Sequence, residues 1–220
     1  RKLKRNAVSA DIAMKAAWSA MKIGMTEVQV AEIIHDSFKS QGVTPLFAIV
    51  GAGGNGAFPH HHTGETILQS GDAVVMDIGG GKDGYSSDMT RMAGIGTPPE
   101  GYVEVHAVVE AAVQAAMAVA KPGVKAHVVD DAARDVITQA GYGEYFMHRT
   151  GHGMGVEIHE TPYLTATSQT VLEEGMVFSI EPGIYLPGRF GIRLEDIVIL
   201  RAYGPEILSD LPRALEVING

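Results

Sequence analysis

Slid against itself by 99 positions, the chain aligns Lys22-Ile23-Gly24-Met25 with Lys121-Pro122-Gly123-Val124. The same offset takes Gly42 to Gly141, Phe47 to Phe146 and His60 to His159. With five more residues inserted, Leu68, Gly71, Asp77 and Gly79 fall on Leu172, Gly175, Glu181 and Gly183. An ordered set of this kind marks an internal duplication. Its copies, at about 7–97 and 101–205, are expected to fold alike and pack on one another as a single domain over 1–220. A chain this long buries roughly 70% of its unfolded surface without needing staples. A site built at the pseudo-twofold axis would draw corresponding residues from both halves.

Each copy reads as two helices followed by strands. Small and apolar residues recur at helical spacing over 7–22 and 101–120, and second helices follow at about 26–40 and 125–140. These end at Gly42 and Gly141, which suit a left-handed cap. The β-rich stretches are Leu46–Val50, Ala73–Ile78 and Met89–Ile95 in the first copy, and Met176–Ile180 and Ile192–Leu200 in the second. The expected class is therefore α/β, two α-then-β halves sharing a central sheet. The opening Arg1-Lys2-Leu3-Lys4-Arg5 lacks an initiating methionine, and Asp11 and Lys15 interrupt what a signal peptide needs to be continuous. We expect a longer protein cut just before a helix, with an Arg-rich transit peptide as the competing reading.

Gly51-Ala52-Gly53-Gly54-Asn55-Gly56 fits G-x-G-x-x-G, but Phe58-Pro59-His60-His61-His62 follows where a dinucleotide site needs a helix to open. The cluster is read as a loop in a β-rich region. The repeat singles out His60 from the three histidines by pairing it with His159.

Acidic residues inside apolar runs are the strongest chemical signal. Asp77 ends Ala73-Val74-Val75-Met76, Asp88 follows 11 residues later, Glu181 ends Met176–Ile180, and Glu195 sits within Ile192–Val198. An ionised carboxylate in a buried strand is costly unless paired or metal-bound. Only 17 basic residues serve a chain with 26 acidic ones, so four separate salt bridges explain the pattern poorly. A pair of divalent cations explains it better. His152, set among glycines in Thr150-Gly151-His152-Gly153, is the natural fifth donor. One imidazole with four carboxylates is a hard, oxygen-rich set, suited foremost to Mn²⁺, with Co²⁺, Fe²⁺ and Zn²⁺ as alternatives. The formal charge of −9 disfavours a global grip on nucleic acid or anionic lipid. No run of 18 apolar residues suggests a membrane span, and the absence of cysteine fits the cytoplasm.

The pattern Asp77-x10-Asp88, then His152, Glu181 and Glu195, resembles the pita-bread metallopeptidases over nearly the whole chain. Ser86–Arg91, Thr150–Gly153, Val156–Glu160 and Glu181–Tyr185 resemble the proline-specific branch, in which an amino-terminal domain precedes the catalytic one. The resemblance implies a mostly antiparallel curved sheet and a dinuclear site hydrolysing the Xaa-Pro bond of dipeptides or short peptides through a metal-bridged hydroxide. It makes Asp77, Asp88, His152, Glu181 and Glu195 the ligands, with Glu181 also the proton shuttle. His159 becomes the transition-state donor, and His60 and His148 lie on the substrate side. Arg193 and Tyr185 support the ligands, and a homodimer is one assembly the resemblance allows. Alternatives are an Xaa-Pro aminopeptidase acting on longer peptides and a non-catalytic binding module on the same fold. Some prolidases place an arginine soon after the His-Glu pair to clamp the dipeptide carboxylate. Here Thr161-Pro162-Tyr163-Leu164 follows, which leaves Arg189 or Arg149 as candidates to substitute, with a solvated loop arginine as the competing reading of Arg189.

Overall fold

In the computed structural model, which describes residues 1–219, the duplication is visible bond by bond. Gly24 N donates to Leu68 O and Leu68 N to Met25 O. Gly123 N donates to Leu172 O and Leu172 N to Val124 O. Gly71 N donates to Ile95 O, and its counterpart Gly175 N to Leu200 O. Gly42 and Gly141 take positive φ, 65° and 87°, at the helix ends, as a glycine cap requires.

The helices are α1 (Lys2–Ala20), α2 (Glu27–Ser40), α3 (Tyr102–Val119) and α4 (Ala126–Gln139). Thr26 caps α2 with a reciprocal Gln29 capping box. Helix α1 starts earlier than the apolar spacing suggests because the basic opening lies on it, and Lys4 reaches Leu208 O and Asp210. Helix α3 has the length and mean hydropathy (1.3) of a membrane span. It nevertheless carries Glu104, His106, Glu110 and Gln114, and it buries Val105, Val109, Ala112, Val113 and Ala116 in the core.

The strands are β1 (Thr44–Ala52), β2 (Ala73–Lys82), β3 (Tyr85–Ser86), β4 (Met89–Ile95), β5 (Gly151–Gly153), β6 (Glu160–Leu164), β7 (Val177–Ile180), β8 (Gly183–Leu186), β9 (Phe190–Arg193), β10 (Asp196–Arg201), β11 (Gly204–Ile207) and β12 (Glu216–Ile218). One sheet runs β1-β2-β4-β12 with β3 on β2, the other β11-β10-β7-β5-β6, and β8-β9 forms a hairpin. Pairing is antiparallel except for β12 on β4. The shared sheet thus comes as two halves, which touch at a bridge between Thr90 and Glu195.

Two details correct the sequence reading. Ile192–Leu200 is not one strand: it breaks at Leu194-Glu195, where Glu195 leaves the β9 path to bridge Thr90. The glycine cluster is not a plain loop either, since β1 continues to Ala52 and Gly53–Ala57 form a short 3-10 turn.

Strand β2 explains how carboxylates reach the interior. Val74, Met76 and Ile78 pack toward α1 and α2 with Met14, Ile34 and Phe38. Ala73 and Val75 pack toward the second half with Val109, Phe190 and Ile192. Period-two alternation puts Asp77 on that second face. Each fully buried side chain of this kind contributes about 1.5–3 kcal/mol, which fixes the register and therefore the carboxylate.

Candidate active site

Four carboxylates, four histidines and two arginines meet where the halves join. Asp77 on β2 pairs across the ladder with Thr90 on β4, and Thr90 bridges to Glu195. Asp88 occupies the β3–β4 connection, His152 is the middle residue of β5, and Glu181 lies one residue past β7. Gly151 and Gly153 let β5 fit: a Cβ on the first would strike Ser179 O, and on the second Thr161 O. A cavity of ≈ 460 Å³ is lined by Asp77, Asp88, Glu181, Glu195, His60, His148, His152, His159, Arg149 and Arg193, with Phe47, Ile49, Pro59 and Ile158 as its apolar wall.

Each donor is oriented. His152 Nδ1 donates to Gly153 O at 3.0 Å, and its Nε2 lies 3.2 Å from Glu181 Oε1 and 3.6 Å from Asp88 Oδ2. Ser179 Oγ accepts from His152 N and donates to Glu181 Oε1, at 2.9 and 2.8 Å. Thr90 Oγ1 donates to Glu195 Oε2 at 2.6 Å. Arg193 donates from Nη2 to Asp77 Oδ2 (2.7 Å), from Nη1 to the Tyr185 hydroxyl (2.9 Å) and from Nε to Thr90 Oγ1 (3.2 Å). His148 Nε2 lies 2.6 Å from the same hydroxyl, and the His159 ring packs edge-on against His152 at 4.2 Å between centroids.

The charges do not balance within the protein. Burial, then Asp77 and Glu181, push Asp88 well above the usual carboxylate range. Burial and the three neighbouring acids do the same to Glu195. Burial also raises Asp77, although Arg193 opposes it. Glu181 goes the other way: burial would raise it, but the hydrogen bond and charge of His152, with His148 and Arg193, hold it at about 2. Burial lowers His148, and burial with the nearby His152 and Arg149 lowers His159, favouring neutral rings. Burial pushes Tyr185 up to about 12, so its hydroxyl keeps its proton.

This surplus of negative charge fits a divalent cation. Donor atoms of Asp88, His152 and Glu195 lie within 4.8 Å of one another. Asp77 Oδ1 is buried with no hydrogen-bond partner among the described residues. Such an orphaned oxygen beside crowded acids is what a metal ligand looks like without its metal.

The predicted set gathers around this cavity apart from Arg189 and Tyr185. Tyr185 stands behind the lining on Arg193 and His148. Arg189 is exposed, donates to Glu100 O at 2.7 Å and lies over the Phe190 ring, outside the cavity. The expectation that it clamps a substrate carboxylate is corrected on that ground, because the β8–β9 turn carries it toward α3. Arg149 lines the cavity instead, over Tyr163. Sequence reasoning missed Thr90 and Ser179, the hydroxyls that hold the acids. The signals available were their places one ladder pair from Asp77 and two residues before Glu181.

Comparison with known proteins agrees with this geometry. Residues 1–202 match the model of metallopeptidase family M24. "Probable dipeptidase PepE" of Mycobacterium tuberculosis is 47% identical over 89% of this chain and 52% of that protein. The Xaa-Pro dipeptidase of Lactobacillus helveticus is 42% identical over 99% of this chain and 60% of that protein. Among solved structures, X-Pro aminopeptidase from Thermotoga maritima superposes with a TM-score of 0.96 at 37% identity, covering 99% of this chain and 62% of that one. The chain thus spans about half to three fifths of the relatives it matches. With its family model matched and its acidic cluster in place, this chain belongs to metallopeptidase family M24.

Proposed function

We propose that the chain is the catalytic domain of a dinuclear Xaa-Pro dipeptidase. The observation that carries the reading is the convergence of Asp77, Asp88, His152, Glu181 and Glu195 on one cavity that also receives His60, His148 and His159. The names of the M. tuberculosis and L. helveticus relatives point to dipeptides, and that of the T. maritima structure to the aminopeptidase alternative. Two divalent ions, Mn²⁺ foremost, supply Lewis-acid polarisation of the scissile carbonyl and a water whose pKa is lowered toward ~7.

The protein's own groups do the rest. Asp77, Asp88, His152, Glu181 and Glu195 hold the ions, and Arg193 with Thr90 fixes the orientation of Asp77 and Glu195. Glu181, kept as a carboxylate, takes the proton of the attacking water and hands it to the leaving nitrogen. His159 donates to the carbonyl oxygen as charge grows there. A prolyl nitrogen has no N–H to be recognised by, so His60 at the cavity rim and the apolar wall of Phe47, Ile49 and Ile158 select it by shape. Arg149 meets the product-side carboxylate, its guanidinium resting on the Tyr163 ring. We also place the protein in the cytoplasm, and its self-association is to be read from its mass in solution.

Metal content measured together with hydrolysis of Ala-Pro and Ala-Pro-Ala tests the reading. Chelation should abolish dipeptide turnover, and Mn²⁺ or Co²⁺ should restore it better than Mg²⁺. R149A should raise KM for dipeptides tenfold or more, about 1.4 kcal/mol, and leave tripeptides little changed. Faster turnover of the tripeptide by the unmutated protein would favour the aminopeptidase, and absent turnover with metal bound would favour a binding module.

A further inference from the structure

Of His60-His61-His62, only His60 lines the cavity, and His62 is exposed. His61 turns the opposite way, and its Nε2 lies 2.8 Å from Glu27 Oε2. Glu27 opens α2 and is fully buried, outside the metal-site cavity. Its carboxylate makes no cap for its own helix, a task already done by Thr26 and Gln29. It spends both oxygens on the glycine-rich segment instead. Oε1 accepts from Ala52 N at 2.8 Å and Asn55 Nδ2 at 2.9 Å, and Oε2 accepts from Gly64 N at 3.0 Å besides His61. Thr63 adds a second tie, its hydroxyl accepting from Val50 N and donating to Ala48 O.

The second half makes a similar clamp from different residues. At the position matching Glu27 it has Ala126. One turn later the fully buried Asp130 accepts from Thr150 N and binds Arg134 through both oxygens, and Arg134 holds the carbonyls of Phe146 and His148. Each half therefore ties a helix carboxylate to the segment that brings a histidine to the cavity. A duplicated scaffold would reproduce the same residue at the same place. The histidines served are not repeat counterparts, since His60 matches His159 and the second clamp holds the segment of His148. In each half, even so, a buried helix carboxylate fixes the segment of one cavity histidine.

We propose that Glu27 is a positioning residue: through His61 and Gly64 it sets the 58–64 segment so that His60 points into the cavity. The proposal rests on the peptidase reading for its rate effect but not for its structural effect. A glutamine at 27 keeps one acceptor and turns an NH₂ toward donors, so one side of the clamp loses its partners. E27Q should lower kcat for Ala-Pro about 10–100-fold with metal content unchanged, the range typical of residues that orient a functional group. In an H60A background E27Q should add less than about twofold, because the group it positions is gone. H61A should behave like E27Q, and H61Q, which keeps a donor near the Nε2 position, should recover most of the loss.

Hydrogen exchange supplies the readout that needs no turnover. In E27Q and H61A, amides of 60–64 should exchange at least about tenfold faster while those of β2 and β4 stay protected. Multiplicative losses in E27Q/H60A, or unchanged exchange over 60–64, would overturn the proposal. A protein inactive on every Xaa-Pro peptide would instead remove the functional reading, with the exchange result still deciding the clamp. If E27Q does not fold, the H61A and H61Q pair decides the same question.

Discussion

The first half gives the cavity Asp77 from an unbroken β2–β4 ladder and Asp88 from the connection just before β4, with Thr90 behind them and His60 at the rim. The second half gives His152 and Arg193 from short strands, and His148, His159, Glu181 and Glu195 from the segments between strands, including the break at Leu194-Glu195. The glycine turns of the two halves are nearly superimposable in their hydrogen bonds, and the chemistry is not. The duplication preserved what folds, and the divergence lies where strands were shortened or re-aimed. A short strand costs ladder hydrogen bonds, yet it turns a side chain toward the axis that a regular strand would bury.

The comparison implies that neither half holds a metal alone. D88A and E195A, one from each half, should abolish turnover and metal binding alike, exceeding the ~10²–10³ loss expected for one transition-state donor. Metal content by mass spectrometry and Ala-Pro turnover check this. If D88A kept both its metals and its activity, the two halves would not share the site.

His159 and His60 are the pair the repeat relates, yet their settings differ. Both are exposed at the rim, but the His159 ring packs edge-on against His152. H159A should lower kcat by ~10²–10³ with the metals retained. Loss of metal in H159A would make His159 a ligand and redraw the site in favour of the second half.

Much of this was legible in the sequence, and the reason is physical. Asp77 and Glu181 stand at the ends of apolar runs, where an acid has no solvation unless something compensates it, so they stand out as candidate ligands. The helices followed from spacing and from Gly42 and Gly141. Contacts made through the third dimension were not legible. Nothing local in Glu27 tells it from an ordinary acid in the first turn of a helix, and nothing in Thr90 shows that it faces Glu195 across the axis. Arg189 was misplaced because nearness along the chain to Glu195 says little once a hairpin intervenes.

The metal-free protein should show the charge imbalance as a pH-dependent stability. Asp88, Glu195 and Asp77 have folded-state pKa values above those of the unfolded chain. Their contribution is therefore fully present below the unfolded carboxylate value, ~4, and is lost as pH rises through the folded values. Glu181 is the opposite case: held at about 2, it contributes above ~4 and loses that contribution as pH falls toward 2. Saturating Mn²⁺, worth about 2.7 kcal/mol at a hundred times Kd, should raise Tm more at neutral pH than near pH 5, where protons already offset the acids. Equal shifts at both values would mean that the crowded acids are not where the ion binds.

The smallest effect tests the scaffold itself. Gly24 and Gly123 both take φ of 90°, and at both a Cβ would meet nothing within 4 Å. Alanine at either position therefore suffers backbone strain without a steric clash, about 1–2 kcal/mol for a left-handed conformation. In a domain of this size each kcal/mol lowers Tm by about 2–4 °C. G24A and G123A should thus cost the same, and the double variant their sum to within about 0.5 kcal/mol, since each turn ties its own helix pair to its own Leu68 or Leu172. Thermal unfolding of the three variants measures it. A cost confined to one turn would show that one half carries the stability of the fold and that the symmetry of the hydrogen bonds does not extend to their energies.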